Sequence, residues 1–394
     1  MKFRLILVVA SCLLSVVIGI VLSQQRVSRE IDQRIAERVR EELAKGQFAV
    51  SQPASLPENR TSNPTANPNV IPALNPARAS GKVLIGLSMD TLQEERWKGD
   101  RDMFVARAQE LGAEVEVLDA NSDDARQVQQ VKSLLTKELS ALVIIPHDGA
   151  AMAEGVRLAH EKGIRVLAYD RLIKNCDLDL YATFDNVRVG ELQAKFVADH
   201  AAKSGGKKRI IRIYGSETDN NAFLFKEGQD KVLKPLIDSG TFEVIHEQHA
   251  HDWKPENAKM ITQAALTKTR AIDYVIASND GTAGGAIQAL SEAGLAGKVI
   301  VTGQDAELVA CQRIANGTQA MTIYKPLSRL ARSAAELAVA LAKGEPVPFT
   351  SRINNGKIEV PSVLLDVILV TKENLRETVV ADGFHKAEAV FQGQ

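Results

Sequence analysis

Seven short apolar runs in this chain end in polar clusters whose residue types could hold a polyhydroxylated ligand. They are Ser88-Met89-Asp90, Pro146-His147-Asp148, Tyr169-Asp170-Arg171, Phe184-Asp185-Asn186, Ser278-Asn279-Asp280, Gly303-Gln304-Asp305 and Tyr324-Lys325-Pro326. For any one cluster the competing reading is a helix N-cap, because Asp, Asn and Ser there satisfy the orphan N–H groups of a first turn. Capping does not account for Arg171 or Lys325, which the helix dipole disfavours at an N-terminus. A sugar hydroxyl both donates and accepts. A sugar site therefore calls for carboxylates and amides as acceptors, Arg and Lys as donors, and a flat aromatic ring against the C–H face. The chain has two tryptophans, Trp97 and Trp253, to supply such a surface. A phosphate site would instead need a Gly-rich loop opening a helix. The nearest candidate, Gly281-Thr282-Ala283-Gly284-Gly285, lacks the P-loop lysine, and its glycines read as close helix packing. No CxxC, HExxH or clustered His/Cys spacing points to a metal, and no cofactor is expected.

The clusters must be positioned by an alternation of strands and helices. Apolar runs at 83–88, 115–118, 142–146, 166–169 and 181–184 read as strands, separated by helical spacing over 96–111, 123–139 and 150–162. The pattern restarts with a helix over 187–203, then strands at 210–214, 243–246, 274–277, 299–302 and 321–324. Helices are expected near 222–238, 255–268, 282–293, 306–316 and 327–343. Short, nearly all-apolar strands between amphipathic helices indicate parallel sheets covered on both faces. One sheet of about ten strands would exceed the usual size, so two doubly wound α/β lobes are the better reading. In such sheets a ligand binds in the crevice beyond the carboxyl ends of the strands, where the polar clusters fall.

Upstream of this body, Met1-Lys2-Phe3-Arg4 precedes an uncharged run from Leu5 to Leu22. Such a run just spans a bilayer, and the positive residues before it predict export of all that follows. Residues 1–23 read as a signal anchor or a cleaved signal peptide, the anchor being preferred, with tethering to the cytoplasmic membrane through residues 5–22. Residues 24–80 read as a stalk helix followed by a linker that holds six of the 13 prolines and no core. The 48 Lys and Arg against 49 Asp and Glu leave a net charge of −1, with no basic field for nucleic acid. Cys176 and Cys311 fall in different expected lobes and read as free thiols rather than a bridge.

The segments Glu95-Arg96-Trp97, Ala168-Tyr169-Asp170-Arg171, Phe184-Asp185-Asn186-Val187-Arg188-Val189-Gly190-Glu191, Asp219-Asn220-Asn221-Ala222, Ser278-Asn279-Asp280-Gly281-Thr282-Ala283-Gly284-Gly285, Gly303-Gln304-Asp305-Ala306 and Tyr324-Lys325-Pro326 carry a resemblance. Over residues 81–394 the chain resembles the periplasmic D-xylose-binding proteins of bacterial ABC importers, within the type I periplasmic-binding-protein family. The resemblance implies two α/β lobes joined by a three-segment hinge. Residues 81–186 plus about 325–350 would form the N-terminal lobe, and 187–324 plus about 351–394 the C-terminal lobe. It implies sugar contacts at Arg96, Trp97, Asp170, Arg171, Asp185, Asn186, Trp253, Asn279, Asp305 and Lys325, with the two tryptophans flanking the ring from opposite lobes. The leading expectation is thus a non-enzymatic solute-binding protein that captures D-xylose or a similar aldopyranose for ABC permease subunits. A membrane-tethered sensor signalling through a partner histidine kinase is the alternative, motivated by the anchor and stalk. A glycosidase is the third reading, weakened because no cleft acid has an apolar setting to raise its pKa.

Overall fold

The computed structural model describes residues 69–72 and 82–392, all within the unit Ala66–Gln394. The segment expected to cross a membrane, 5–22, and the stalk lie outside these residues. Among the described residues no helix is long and apolar enough to cross a membrane.

The first lobe is built on a seven-stranded sheet in the order Ser351–Asn354, Glu359–Leu365, Leu180–Phe184, Arg165–Tyr169, Ala141–Ile144, Val83–Met89, Ala113–Asp119. All pairings are parallel except that of Ser351–Asn354 with Glu359–Leu365. Because strand side chains alternate between faces, Leu87, Val143, Leu167 and Tyr169 pack into one core, against the helices Glu95–Glu110 and Leu327–Lys343. Leu142, Ile144, Val166 and Ala168 pack into the other, against Asp124–Leu134 and Ala153–Glu161.

The second lobe has a parallel four-stranded sheet in the order Ile300–Val301, Tyr274–Ala277, Lys208–Tyr214, Phe242–His249. One face is covered by the helices Pro255–Lys268 and Asp280–Glu292, the other by Asn186–Ser204 and Asn220–Asp238. Where the last two helices meet, a Cβ on Gly190 would stand 1.9 Å from the Phe225 carbonyl oxygen, and one on Gly228 2.0 Å from that of Val187. Both obstacles are backbone, so Gly190→Ala is expected to lower stability by about 1–3 kcal/mol or more in urea denaturation, as overpacking does. Gly285 packs in the same way against the Pro255 carbonyl, where a Cβ would stand at 2.0 Å. That placement is helix packing and not a phosphate cradle.

The chain passes between lobes three times: from Phe184 into the helix at Asn186, from Tyr324 into the helix at Leu327, and from Leu365 to Ile368. Two of these passages are joined where the Asp185 N–H donates to the Leu365 carbonyl at 2.9 Å.

Three features differ from the sequence-based expectation. Residues 351–365 belong to the first sheet and not to the second lobe, because Ser362–Leu365 pair in parallel with Tyr181–Phe184. Met321–Tyr324 does not extend the second parallel sheet; it pairs antiparallel with Ile368–Thr371. Part of the expected linker is bound to the body: Val70–Ile71 pair with Val347–Pro348, and Ile71 packs against the first core. The Cys176 and Cys311 thiols are free and buried, one in each lobe.

Candidate functional site

The strand ends and the hinge meet in a partly open cleft of about 440 Å³, counted with the solvent at its opening. From the first lobe, Arg96 and Trp97 enter on the opening turn of the helix Glu95–Glu110, and Asp170 and Arg171 just beyond the strand Arg165–Tyr169. The second lobe supplies Asp219, Asn221, Phe225, Trp253, Asn279, Gln304 and Asp305, and Lys325 stands on a hinge passage.

Three buried cations thread five carboxylates. Arg96 Nη2 lies 2.8 Å from Asp170 Oδ2, its Nη1 3.4 Å from Asp305 Oδ1 and its Nε 3.4 Å from Asp100 Oδ2. Arg171 reaches Asp90 Oδ2 at 2.6 Å within its own lobe and Asp219 Oδ2 at 3.0 Å across the cleft. Lys325, 2 % exposed, places Nζ 2.9 Å from Asp305 Oδ1. Burial alone pushes Asp170 up, but Arg96 and Lys325 outweigh it and hold the carboxyl below its ordinary range. Asp100, which accepts from the Tyr169 hydroxyl, is pushed by burial up to about 6 despite Arg96. Burial also raises Asp219 against the pull of Arg171, and raises Asp280 well above the carboxylate range. The expectation that no acid has a pKa-raising setting is therefore corrected. None of the three is placed as a catalytic acid: Asp100 is locked by Tyr169 and Arg96, Asp219 by Arg171, and Asp280 by Gln319 and Thr322.

The backbone at the site is held in uncommon conformations. Asp170 has φ +61°, a region costly for non-glycine residues, and its carbonyl accepts from Tyr181 Oη and Thr183 Oγ1 at 2.8 Å and from Asn221 Nδ2 at 3.1 Å. These three bonds over-determine the strained turn. Asp305 has φ +95° and Trp253 φ +59°. The Trp253 ring lies over Gly215, where a Cβ would come within 1.9 Å of it; its Nε1–H donates to Asp219 Oδ2 at 3.2 Å and Phe225 meets it edge to face at 6.2 Å.

Of the ten residues expected to touch ligand, eight line the cleft: Arg96, Trp97, Asp170, Arg171, Trp253, Asn279, Asp305 and Lys325. The other two are placed elsewhere. Asp185 caps its own helix, accepting from the Arg188 N–H at 2.9 Å. Asn186 is buried one layer back, where its Nδ2 donates to Asn221 Oδ1 at 2.9 Å. Asn279 combines both readings, since it lines the cleft and caps its helix through a capping box with Thr282. Trp97 sits on the helix expected over 96–111; it is 3 % exposed, part of the first core, and covered by the Arg96 and Arg171 guanidiniums at 4.1 and 5.2 Å from its ring.

Gln304, part of one of the strand-end clusters, lines the cleft; sequence reasoning did not single out Asp219, Asn221, Phe225, Glu94 or Glu307 as site residues, yet they line it too. The strand-end rule applied to Tyr214 leads to Asp219 and Asn221, which the intervening loop 215–218 obscured. Phe225 follows Asn221 by one helical turn and carried no signal of its own. Glu94 Oε2 and Gln304 Oε1 are buried acceptors without a hydrogen-bond donor, the complement of a ligand rich in hydroxyls.

Residues 85–346 match the family model described as a periplasmic binding protein domain. The chain is 51 % identical over 313 residues to the D-xylose-binding periplasmic protein of Haemophilus influenzae, covering 79 % of this chain and 93 % of that one. It is 48 % identical over 313 residues to the D-xylose-binding periplasmic protein of Escherichia coli, with 79 % and 94 % covered. Among solved structures, the carbohydrate transporter solute-binding protein of Chloroflexus aurantiacus in complex with D-glucose superposes with a TM-score of 0.74 at 34 % identity, covering 79 % of this chain and 98 % of that one. With two α/β lobes, three passages between them and a polar cleft at their junction, the chain belongs to the periplasmic binding protein family.

Proposed function

We propose that this protein captures D-xylose, or a closely similar aldopyranose, between its lobes and delivers it to an ABC importer without chemical turnover. The observation that carries the reading is the composition of the cleft wall. Cationic donors (Arg96, Arg171, Lys325) alternate with carboxylate and amide acceptors (Asp170, Asp305, Asn279) around an aromatic face at Trp253 and Phe225. Neither lobe holds the full set, so a sugar makes its complete hydrogen-bonding shell only when both lobes face it. That differential contact is what drives closure. The choice of pentose rests on the two D-xylose-binding relatives; the D-glucose complex of a more distant one makes glucose the competitor to test. The kinase-coupled sensor rests only on the anchor and stalk, and none of these relatives supports it.

Calorimetry with a panel of pentoses and hexoses is the test. Micromolar or tighter D-xylose binding, with ribose and glucose weaker, is expected; no heat with xylose, or equal heat with ribose, overturns the specificity. Export follows from the run Leu5–Leu22, and we propose its retention as an anchor. Cell fractionation checks this: the protein is expected in the membrane fraction with its N-terminus intact, and a soluble form beginning near Gln24 contradicts it.

A further inference from the structure

Beside the residues that line the cleft, one imidazole faces carboxylates of both lobes. His147 follows the strand Ala141–Ile144 and is anchored by its backbone N–H, which donates to Gln127 Oε1 at 2.9 Å. Its Nδ1 lies 2.9 Å from Asp90 Oδ1, the carboxylate whose other oxygen holds Arg171. Its Nε2 lies 4.0 Å from Asp252 Oδ1 on the second lobe. Asp252 adjoins Trp253, and both residues have positive φ, at 52° and 59°. Two consecutive non-glycine residues in that region make a strained segment that outside contacts must hold.

We propose that His147 is a positioning residue that ties the Asp90–Arg171 pair to the loop carrying Trp253, and that its protonation tightens sugar capture. The inference rests on the sugar-binding reading above. Only the contact with Asp252 crosses between lobes, so imidazolium is stabilised more in the closed form than in the open one. By linkage the closed form then takes up protons more readily, and lower pH favours closure. The charged groups around His147 are Asp90, Asp252, Asp124 on the helix Asp124–Leu134, and Arg171. Three carboxylates face one guanidinium. The contact with Asp90 is the largest influence on His147 and, with Asp124, raises its pKa against burial and Arg171. The advantage is complete below the open-form pKa and disappears as pH rises through the closed-form value. His251 and Lys254 also approach Asp252, at 3.5 and 2.9 Å, but from its own lobe, so their contacts do not depend on closure.

The test measures D-xylose affinity of the full chain by calorimetry from pH 5 to pH 8. Because one pKa unit between the two forms corresponds to tenfold in affinity, binding is expected to weaken roughly three- to tenfold over this range. His147→Gln and Asp252→Asn should each flatten the profile, whereas His251→Gln should leave the slope in place. A slope that survives His147→Gln overturns the proposal and moves the titration to another group, such as Asp100. Should D-xylose fail to bind at any pH, the sugar reading fails, and the imidazole titration of His147 followed by NMR, in the protein closed by saturation with a sugar of the panel that does bind, decides the proposal separately. Its pKa is expected to fall in Asp252→Asn, and an unchanged value refutes the cross-cleft contact.

Discussion

Arg171→Ala is expected to weaken D-xylose binding by two orders of magnitude or more while leaving a folded protein. Among the described residues the guanidinium is the one cation within ion-pairing distance of Asp219, and it shares Asp90 with His147. Removing one partner of a buried ion pair costs about 3–5 kcal/mol, because the other charge is left without compensation. Here the loss is divided between the free and bound states. Asp90 lies in the same lobe as Arg171 and loses its partner whether the cleft is open or closed. Asp219 lies across the cleft, so its pairing with Arg171 exists only when the lobes meet. Burial already raises Asp219 against the pull of Arg171. Without that pull its pKa rises further, and closure must bury either a bare carboxylate or a proton. The variant should therefore show most of its defect in binding and the smaller part in the urea midpoint. Calorimetry and denaturation on the same preparation separate the two; a large stability loss with near-normal affinity contradicts this division.

The order of strands and helices through residues 83–343 was legible because most strands there hold a short apolar run and most are followed by a helix; Arg165–Tyr169, which leads directly to the strand Leu180–Phe184, is an exception. The strands after residue 347 were not. Glu359–Leu365 contains Pro361 and alternates buried with partly exposed residues, and Ser351–Asn354 is an edge strand with little burial, so neither shows the apolar run that marks a buried parallel strand. Their omission displaced the third passage between lobes.

At the site, the strand-end rule located the cleft but not the direction in which each side chain points. Asp185 and Asp170 both follow parallel strands. Asp185 turns back to cap the helix that begins one residue later, whereas no helix begins at Asp170, and its left-handed backbone leaves its carboxylate to Arg96. Asn186 became a support for Asn221, which no local pattern distinguishes from Asn220. The difference lies in the helical phase set by Asp219, whose Oδ1 accepts from the Asn221 N–H at 2.9 Å.

The two tryptophans should separate stability from binding. Trp97→Ala is expected to destabilise the protein by about 3–5 kcal/mol, the usual cost of truncating a large aromatic side chain in a packed core. Trp97 is buried among Ile85, Met89 and Phe104 of the first core and carries the Arg96 guanidinium on its face, so both the packing and the seat of that cation are lost. Trp253 is half-buried; it is held by Asp219 and Phe225 and stands over Gly215 in a segment with positive φ. Trp253→Ala removes contacts facing the cleft from a side chain outside the packed core, so its stability loss should be well under that of Trp97→Ala. Its D-xylose affinity should nevertheless fall by at least tenfold, because an aromatic face of the cleft is gone. Gly215→Ala supplies an independent check, since its Cβ would displace the Trp253 ring without deleting it. It should reproduce the binding defect of Trp253→Ala at little cost to the fold. Urea midpoints in which Trp253→Ala equals or exceeds Trp97→Ala would reverse these assignments and place Trp253 in the core.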